Sequence, residues 1–160
     1  MRHTIAAAVL LLSGIAWSQQ GTLAVPGPKP KQYVSYAAEE QDLAAGKKAV
    51  LELRFHVTEG FHVNSHTPKS ELLIPTKLDL QPATGVKASP AEYPAGTLYS
   101  FSFDPSEKLD VYTGNFTVKV PVIAQAGSHT MNAVLRYQAC DNAACYPPKS
   151  LPVQVVVTAK

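Results

Sequence analysis

The sequence YQACDNAACYPP, residues 137–148, holds the only two cysteines of the chain, Cys140 and Cys145, with four residues between them. Strand-like apolar runs flank it at residues 131–137 and 151–157. The simplest geometry is two antiparallel strands joined by a short turn, with one cysteine at each strand end. The Asp-Asn pair between the cysteines favours a turn, because such short side chains hydrogen-bond the nearby backbone. Cysteines facing each other across a hairpin can reach the roughly 5.5–6 Å Cα separation of a disulfide.

Three interpretations of this cysteine pair follow from spacing alone. A reversible dithiol/disulfide is one, and a structural disulfide, the usual kind in exported proteins, is another. A ring this short stabilises a fold by about 2–3 kcal/mol at best, which makes it a weak brace. The third is a zinc site, which would need about four ligands and therefore histidines distant in the sequence.

The chain after its first 31 residues has the pattern of an all-β protein. Residues 49–57 alternate apolar and polar side chains, which is the period of a half-buried strand. Residues 37–48 are polar and Ala-rich, and we expect a loop there rather than a short helix. About eight short strands with frequent turn signals and no long helical period predict a single-domain antiparallel β-sandwich. The expected strands are residues 33–36, 49–57, 61–64, 76–80, 86–93, 98–103, 115–123, 131–137 and 153–157.

The amino terminus has the pattern of an export signal. Residues 1–18 combine a short basic start, an apolar run too short to span a bilayer and small residues suited to cleavage near Ser18. A retained membrane anchor is the alternative. Residues 19–31 form a Pro-rich leader, and residues 32–160 form the predicted domain. Export places the cysteines where disulfides can form and persist.

Charge and motifs exclude several functions. The net charge of +2, without a Lys/Arg cluster, does not indicate a nucleic-acid partner. No phosphate-binding loop or nucleophile elbow occurs, so no cofactor is predicted. His62 and His66 are four residues apart, which on a strand separates them by about 13 Å, so no metal site is predicted.

Several segments resemble one known family. The cysteine stretch, with YQAC at 137–140 and CYPP at 145–148, resembles the active site of the amino-terminal periplasmic domain of the bacterial thiol:disulfide interchange protein DsbD. Supporting segments are GFHVNS at 60–65, LLIPT at 72–76, YTGNFTV at 112–118 and VPV at 120–122. The resemblance covers roughly residues 33–157. One departure is the cysteine spacing, because the family pattern places five residues between the cysteines and this chain has four.

The resemblance implies an immunoglobulin-like fold and roles for individual residues. Cys145 would be the exposed thiol that bonds to partners, and Cys140 the thiol that resolves the mixed disulfide. The segment FSFDPS at 101–106 resembles in placement the cap loop of the family, with Phe101 and Phe103 as candidates for covering the sulfurs. The alternative is that both phenylalanines belong to the core.

Three residues flank the cysteines. Tyr137 and Tyr146 shield the sulfurs or contact partners in one interpretation, and are ordinary strand aromatics in the other. Asp141 is acidic, and a nearby negative charge raises the pKa of a thiol. Local sequence therefore does not activate either cysteine, although a partner thiolate can still attack their disulfide.

The predicted function is that of a periplasmic thiol:disulfide oxidoreductase, a protein-disulfide reductase. By resemblance, its electron donor is a membrane-embedded thiol reductase and its acceptors are periplasmic thioredoxin-like proteins. The alternative is a non-enzymatic, exported β-sandwich binding module with a structural disulfide.

Overall fold

The computed structural model describes residues 32–101 and 105–160, in which the chain forms twelve strands and no helix. Within these residues, no helix is long and apolar enough to cross a membrane. The predicted signal peptide and leader, at residues 1–31, lie outside the described residues. The strands are β1 (Val34–Ala37), β2 (Gln41–Leu43), β3 (Lys48–Val57), β4 (His62–Asn64), β5 (Lys77–Leu80), β6 (Val86–Ala88), β7 (Thr97–Tyr99), β8 (Leu109–Tyr112), β9 (Asn115–Ala124), β10 (Gly127–Tyr137), β11 (Ala139–Cys140) and β12 (Lys149–Ala159).

The strands form three four-stranded sheets. The first has the order β1-β3-β9-β6 and the second β2-β12-β10-β5, while a smaller third sheet has the order β11-β4-β8-β7. Neighbouring strands are antiparallel except β2, which runs parallel to β12 at the edge of the second sheet. The longest pairings are β3 with β9 and β10 with β12, and these four strands form the body of the fold.

The core lies between the first two sheets, where alternate residues of the long strands face inward. On β3 the side chains of Leu51, Leu53, Phe55 and Val57 are buried, as their period of two predicts. The strands β9, β10 and β12 contribute Val118, Val120, Val122, Met131, Leu135, Val153, Val155 and Val157 to the same buried cluster. The predicted all-β, immunoglobulin-like antiparallel sandwich in a single domain is confirmed.

Short connections join the third sheet to both of the other sheets. Strand β8 leads into β9 of the first sheet across a two-residue turn at 113–114, and β11 follows β10 of the second sheet after the single residue Gln138. The chain therefore changes sheets immediately before Cys140. In this sheet β4 is central, with β11 on one side and β8 on the other.

Three strands were not expected from the sequence, and one of them is the two-residue β11. Strand β2 falls within residues 37–48, predicted as a loop, and β8 is too short to show a clear period. Strand β2 has only three residues, lies at a sheet edge and contains no fully buried side chain, so it shows no apolar alternation. The Gln41 amide donates to the C=O of Glu52 and accepts from its N–H, both at 3.0 Å, and so links the second sheet to the first.

Two other strands are shorter than expected. Residues 86–93 contribute only β6, as Pro90 lies beyond its end. Of the predicted strand at 98–103, the described residues 98–101 contribute only the end of β7. Phe101 therefore follows the strand instead of belonging to it. Residues 102–104, which include Phe103, lie outside the described part of the chain.

Candidate active site

The two cysteines form a disulfide, with the Sγ atoms 2.02 Å apart and the Cα atoms 3.9 Å apart. Cys140 and Cys145 are directly opposed in an antiparallel bridge. The N–H of the residue after each cysteine donates to the C=O of the residue before the other, at 2.9 and 2.8 Å. This is the pattern of a non-hydrogen-bonded pair, in which opposed residues approach most closely. Backbone pairing thus brings the sulfurs together.

The hairpin that carries the cysteines is smaller than predicted. The flanking strands β10 and β12 do pair, with Tyr137 opposite Lys149 at their ends. The cysteines lie beyond these ends, so the expectation of one cysteine at each strand end is wrong. The chain leaves the second sheet at Gln138, and β11 then pairs with β4 of the third sheet. The disulfide closes a separate, tight hairpin at that point.

Asp141 organises the turn between the cysteines. Its Oδ1 accepts hydrogen bonds from the N–H groups of Ala143 and Ala144 at 2.8 and 2.9 Å, as an Asx turn requires. Its Oδ2 accepts a hydrogen bond from the Tyr146 hydroxyl at 2.5 Å. These three hydrogen bonds lower the pKa of Asp141. The bond from Tyr146 has the largest effect, followed by the two N–H bonds. The same bond raises the pKa of Tyr146.

The two sulfur-bearing residues differ in exposure. Cys140 is fully buried, at 0% exposure, whereas Cys145 is exposed. The cause is their position in the local sheet: Cys140 has His62 of β4 on one side and Cys145 on the other. Cys145 lies on the outer arm of the hairpin. One sulfur-bearing residue therefore faces solvent while its partner is enclosed.

Gln138 fixes the hairpin to the rest of the third sheet. Its Oε1 accepts a hydrogen bond from Asn64 Nδ2, and its Nε2 donates to the C=O of Tyr146, both at 3.3 Å. Asn64 Nδ2 also donates to the C=O of Ile74 at 3.0 Å, and the Asn64 C=O accepts from Thr76 Oγ1 at 2.6 Å. These bonds join both arms of the hairpin to β4 and to the segment after it.

The two flanking tyrosines have different environments. Tyr137 is fully buried in the core, where its hydroxyl donates to Gln32 Oε1 at 2.8 Å and accepts from the N–H of Tyr33 at 3.3 Å. Tyr146 is half-buried and packs against Tyr33 and Phe61, with ring centroids 5.1 and 5.9 Å apart. Tyr146 thus adjoins the hairpin at its surface, and Tyr137 supports it from within.

A second aromatic cluster lies beside His62. The His62 ring centroid is 4.1 Å from that of Tyr99 and 6.0 Å from that of Phe101. The rings of Tyr99 and Phe101 meet edge to face at 5.7 Å. The Tyr99 hydroxyl donates to Asn142 Oδ1, in the turn between the cysteines. Tyr99 of β7 therefore contacts both β4 and the hairpin.

His62 is buried, at 2% exposure, and its Nε2 has no hydrogen-bond partner among the described residues. Burial lowers the pKa of His62, and the charge of Asp141 opposes this effect in part. A surface cavity of about 500 Å³ opens beside the ring, with Tyr99 and Asn142 also in its lining. The hairpin is therefore accessible from the side of the cavity.

His66 has separate surroundings. Its ring stacks on Tyr93 with centroids 3.7 Å apart, and its Nδ1 lies 3.0 Å from the carbonyl oxygen of Thr76. In the part of the chain that the structure describes, no three His, Cys, Asp or Glu side chains are grouped so as to hold a metal ion.

The fold brings most of the sequence-predicted site residues together. Asp141 and Tyr146 are bonded to each other beside the disulfide, and Phe101 packs against His62, the cross-strand neighbour of Cys140. Tyr137 lies in the core, and Phe103 lies outside the described residues.

Sequence reasoning missed three residues of this site: His62, Tyr99 and Gln138. His62 and Tyr99 acquire their place from strand register, which joins segments up to 78 positions apart, such as His62 and Cys140. Gln138 acquires its place as the single residue between β10 and β11, where the chain changes sheets. Local sequence patterns do not specify which strands meet, so they carried no signal for these contacts.

Comparisons with known proteins show the family of this chain. The family described as "Thiol:disulfide interchange protein DsbD, N-terminal" matches residues 19–156. No significant match to a curated protein was found. The solved DsbD amino-terminal domain of Neisseria meningitidis, in its reduced form, is 20% identical, with a TM-score of 0.42 over 64% of this chain and 73% of that chain.

Two further solved structures are similar in fold. The amino-terminal periplasmic domain of ScsB from Proteus mirabilis is 13% identical, with a TM-score of 0.47 over 75% of this chain and 44% of that one. A PapD-like domain of human CEP192 is also 13% identical, with a TM-score of 0.44 over 96% and 98% of the two chains. These TM-scores are below 0.5, and the family match alone carries the assignment.

Protonation of Asp141 is expected to loosen the turn between the cysteines. Its pKa is lowered from 3.8, so its ionised hydrogen bonds stabilise the turn above that pH and are lost as the pH falls through the lowered pKa. Amide hydrogen-exchange protection of Ala143 and Ala144, corrected for intrinsic exchange, should therefore fall in strong acid. The Asp141→Asn variant keeps an uncharged acceptor and should show no such step. Equal acid dependence in both proteins would contradict the assignment.

Proposed function

Because the chain belongs to the family of amino-terminal domains of the thiol:disulfide interchange protein DsbD, we propose that it is a periplasmic protein-disulfide reductase. Electrons pass through the Cys140/Cys145 pair from a membrane-embedded thiol reductase to periplasmic thioredoxin-like proteins. The observation that carries the proposal is the difference in exposure within one disulfide. The exposed residue, Cys145, is accessible to a partner, and the enclosed residue, Cys140, is held directly opposite it.

The exchange proceeds in two displacements. A thiolate of the donor attacks Cys145 Sγ, the disulfide breaks, and its electron pair goes to Cys140 Sγ, which takes up a proton. A second donor thiol then displaces Cys145 and leaves the donor oxidised and this chain reduced. In the reverse sense, Cys145 attacks an acceptor disulfide and Cys140 resolves the mixed disulfide. The electrons move with the sulfur–sulfur bonds, so the scheme includes no cofactor.

The location of the proposed reaction follows from the export pattern of residues 1–18 and from the family. A dithiol in the periplasm faces an oxidising environment, so its reduced form requires a dedicated electron supply. The membrane-embedded donor in this proposal provides that supply. The thioredoxin-like acceptors are the class of protein whose disulfides are reduced to dithiols by such exchange.

The reduction potential of the disulfide tests the proposal. A carrier should equilibrate with thiol buffers and have a potential well above about −300 mV, the value below which structural disulfides typically lie. The fraction oxidised should be measured in graded dithiothreitol or glutathione buffers by trapping free thiols and weighing the intact protein. A potential below that limit, or no reduction while the chain remains folded, would instead assign the pair to a binding module with a structural disulfide.

In this proposal, Phe101 and Tyr99 shield the enclosed sulfur. Both rings pack on His62, whose side chain lies on the same face of the local sheet as that of Cys140. Shielding benefits an exported dithiol, because small oxidants and thiol reagents are then kept from it. Phe103, the other candidate, lies outside the described residues.

Replacing Phe101 with Ala should expose the Cys140 thiol and leave the core intact. The reduced variant should react faster with iodoacetamide than the reduced wild type, with a nearly unchanged denaturant midpoint. Leu98→Ala is the matched control, because Leu98 is an apolar residue nearby in the chain that is 66% exposed. A loss of about 3–5 kcal/mol with unchanged alkylation would identify Phe101 as a core residue and end its role as a cap.

A further inference from the structure

His62 and Cys140 are direct cross-strand neighbours. The register of β4 and β11 pairs Val63 with Ala139 and His62 with Cys140. Paired residues point to the same face of a sheet, with Cβ atoms about 4.5–5.5 Å apart. Val63 and Ala139 belong to the core cluster, so His62 and Cys140 project from the opposite face. The imidazole and the enclosed sulfur therefore lie side by side.

The unpartnered nitrogen of His62 is the second observation. Most buried polar atoms in proteins have a hydrogen-bond partner, yet His62 Nε2 is buried without one among the described residues. In the disulfide form, the neighbouring sulfur carries no proton and is a weak acceptor. After reduction, the same sulfur becomes a thiol or a thiolate, and either can bond to an imidazole. Reduction of the disulfide therefore creates a hydrogen-bond partner for His62 Nε2.

We propose that His62 accepts and returns the proton of the Cys140 thiol during thiol–disulfide exchange. The inference rests on the proposed function, and it adds a proton-transfer group to the two sulfurs. It also explains how a thiol beside an acidic turn becomes a nucleophile, although no basic residue lies between the two cysteines.

The proton balance can be written for each direction. When Cys140 resolves a mixed disulfide, its S–H proton passes to His62 Nε2, and Cys140 Sγ bonds to Cys145 Sγ. The bond from Cys145 to the partner breaks, and the electron pair leaves with the partner as a thiolate. In the reductive direction, a donor thiolate attacks Cys145 Sγ, the disulfide breaks, and its electron pair leaves with Cys140 as a thiolate. His62 takes a proton from solvent, passes it to that thiolate and is neutral again.

The surroundings of His62 suit a proton acceptor. Desolvation lowers its pKa, which keeps the imidazole neutral and able to accept a proton near neutral pH. Asp141 is the charged group that acts on it, in the opposite sense. Tyr99, from β7, packs against the ring, and its hydroxyl bonds to Asn142. Asp141 and Tyr99 are thus two titratable groups that adjoin His62, and Glu59 and His56 line the cavity beside it.

The reaction of the reduced protein with the disulfide reagent DTNB separates the two sulfurs in time. Cys145 attacks first and releases one thionitrobenzoate. Cys140 then attacks the mixed disulfide and releases a second. His62→Gln should leave the first phase unchanged and slow the second by about tenfold or more, because a positioned proton acceptor is lost. The pH midpoint of the second phase should rise towards about 8.5, the pKa of a free thiol.

Two variants control for packing. His62→Phe keeps an aromatic ring against Tyr99 but has no nitrogen, so it should be as slow as His62→Gln. His56→Gln changes an exposed histidine that lines the same cavity and bonds to Asn115, and it should behave as the wild type. The denaturant midpoint of each variant is measured alongside.

The outcomes distinguish the inference from the function on which it rests. If the wild type shows both phases and His62→Gln or His62→Phe resolves the mixed disulfide at the wild-type rate and pH midpoint, the role of His62 is refuted while exchange stands. If the folded wild type releases no second thionitrobenzoate, Cys140 does not resolve, and the proposed function itself fails.

Discussion

The site depends on the backbone pairing of Cys140 with two neighbours at once. On one side it opposes His62 of a buried strand, and on the other it opposes Cys145 across a tight hairpin. Side chains aligned across adjacent antiparallel strands share a face, so the imidazole and the two sulfurs form one row. The middle of that row is enclosed and its outer end is exposed. Cys140 and Cys145 thus differ in exposure because of their positions in the sheet.

This arrangement lets the disulfide open without endangering the fold. A six-residue ring contributes only about 2 kcal/mol in the chain-entropy model, and the sandwich core between the first two sheets is independent of it. The hairpin has supports of its own, since Gln138 ties it to β4 and the Asp141 carboxylate holds its turn. Stability is therefore located in the sandwich, and reversible chemistry is located in the hairpin at its end.

The sequence predicted what local patterns encode. The period of two placed Leu53 and Phe55 in the core, and the cysteine spacing predicted a disulfide across a hairpin. Contacts between distant segments were not encoded locally. Because the chain changes sheets at Gln138, the cysteine hairpin is smaller than predicted. The register of β4 with β11 places His62 beside Cys140. Strand β2 was not predicted because it is a three-residue edge strand without a fully buried side chain, which is too short to show an apolar period.

The central claim is that Cys145 meets partners and Cys140 resolves the bond. Intact mass after incubation of reduced, folded protein with glutathione disulfide tests it most directly. The Cys140→Ser variant should accumulate one glutathione on Cys145, and Cys145→Ser should remain almost unmodified. The wild type should end as the internal disulfide without glutathione. Rapid glutathione addition to Cys145→Ser together with none to Cys140→Ser, both shown to be folded, would contradict the account.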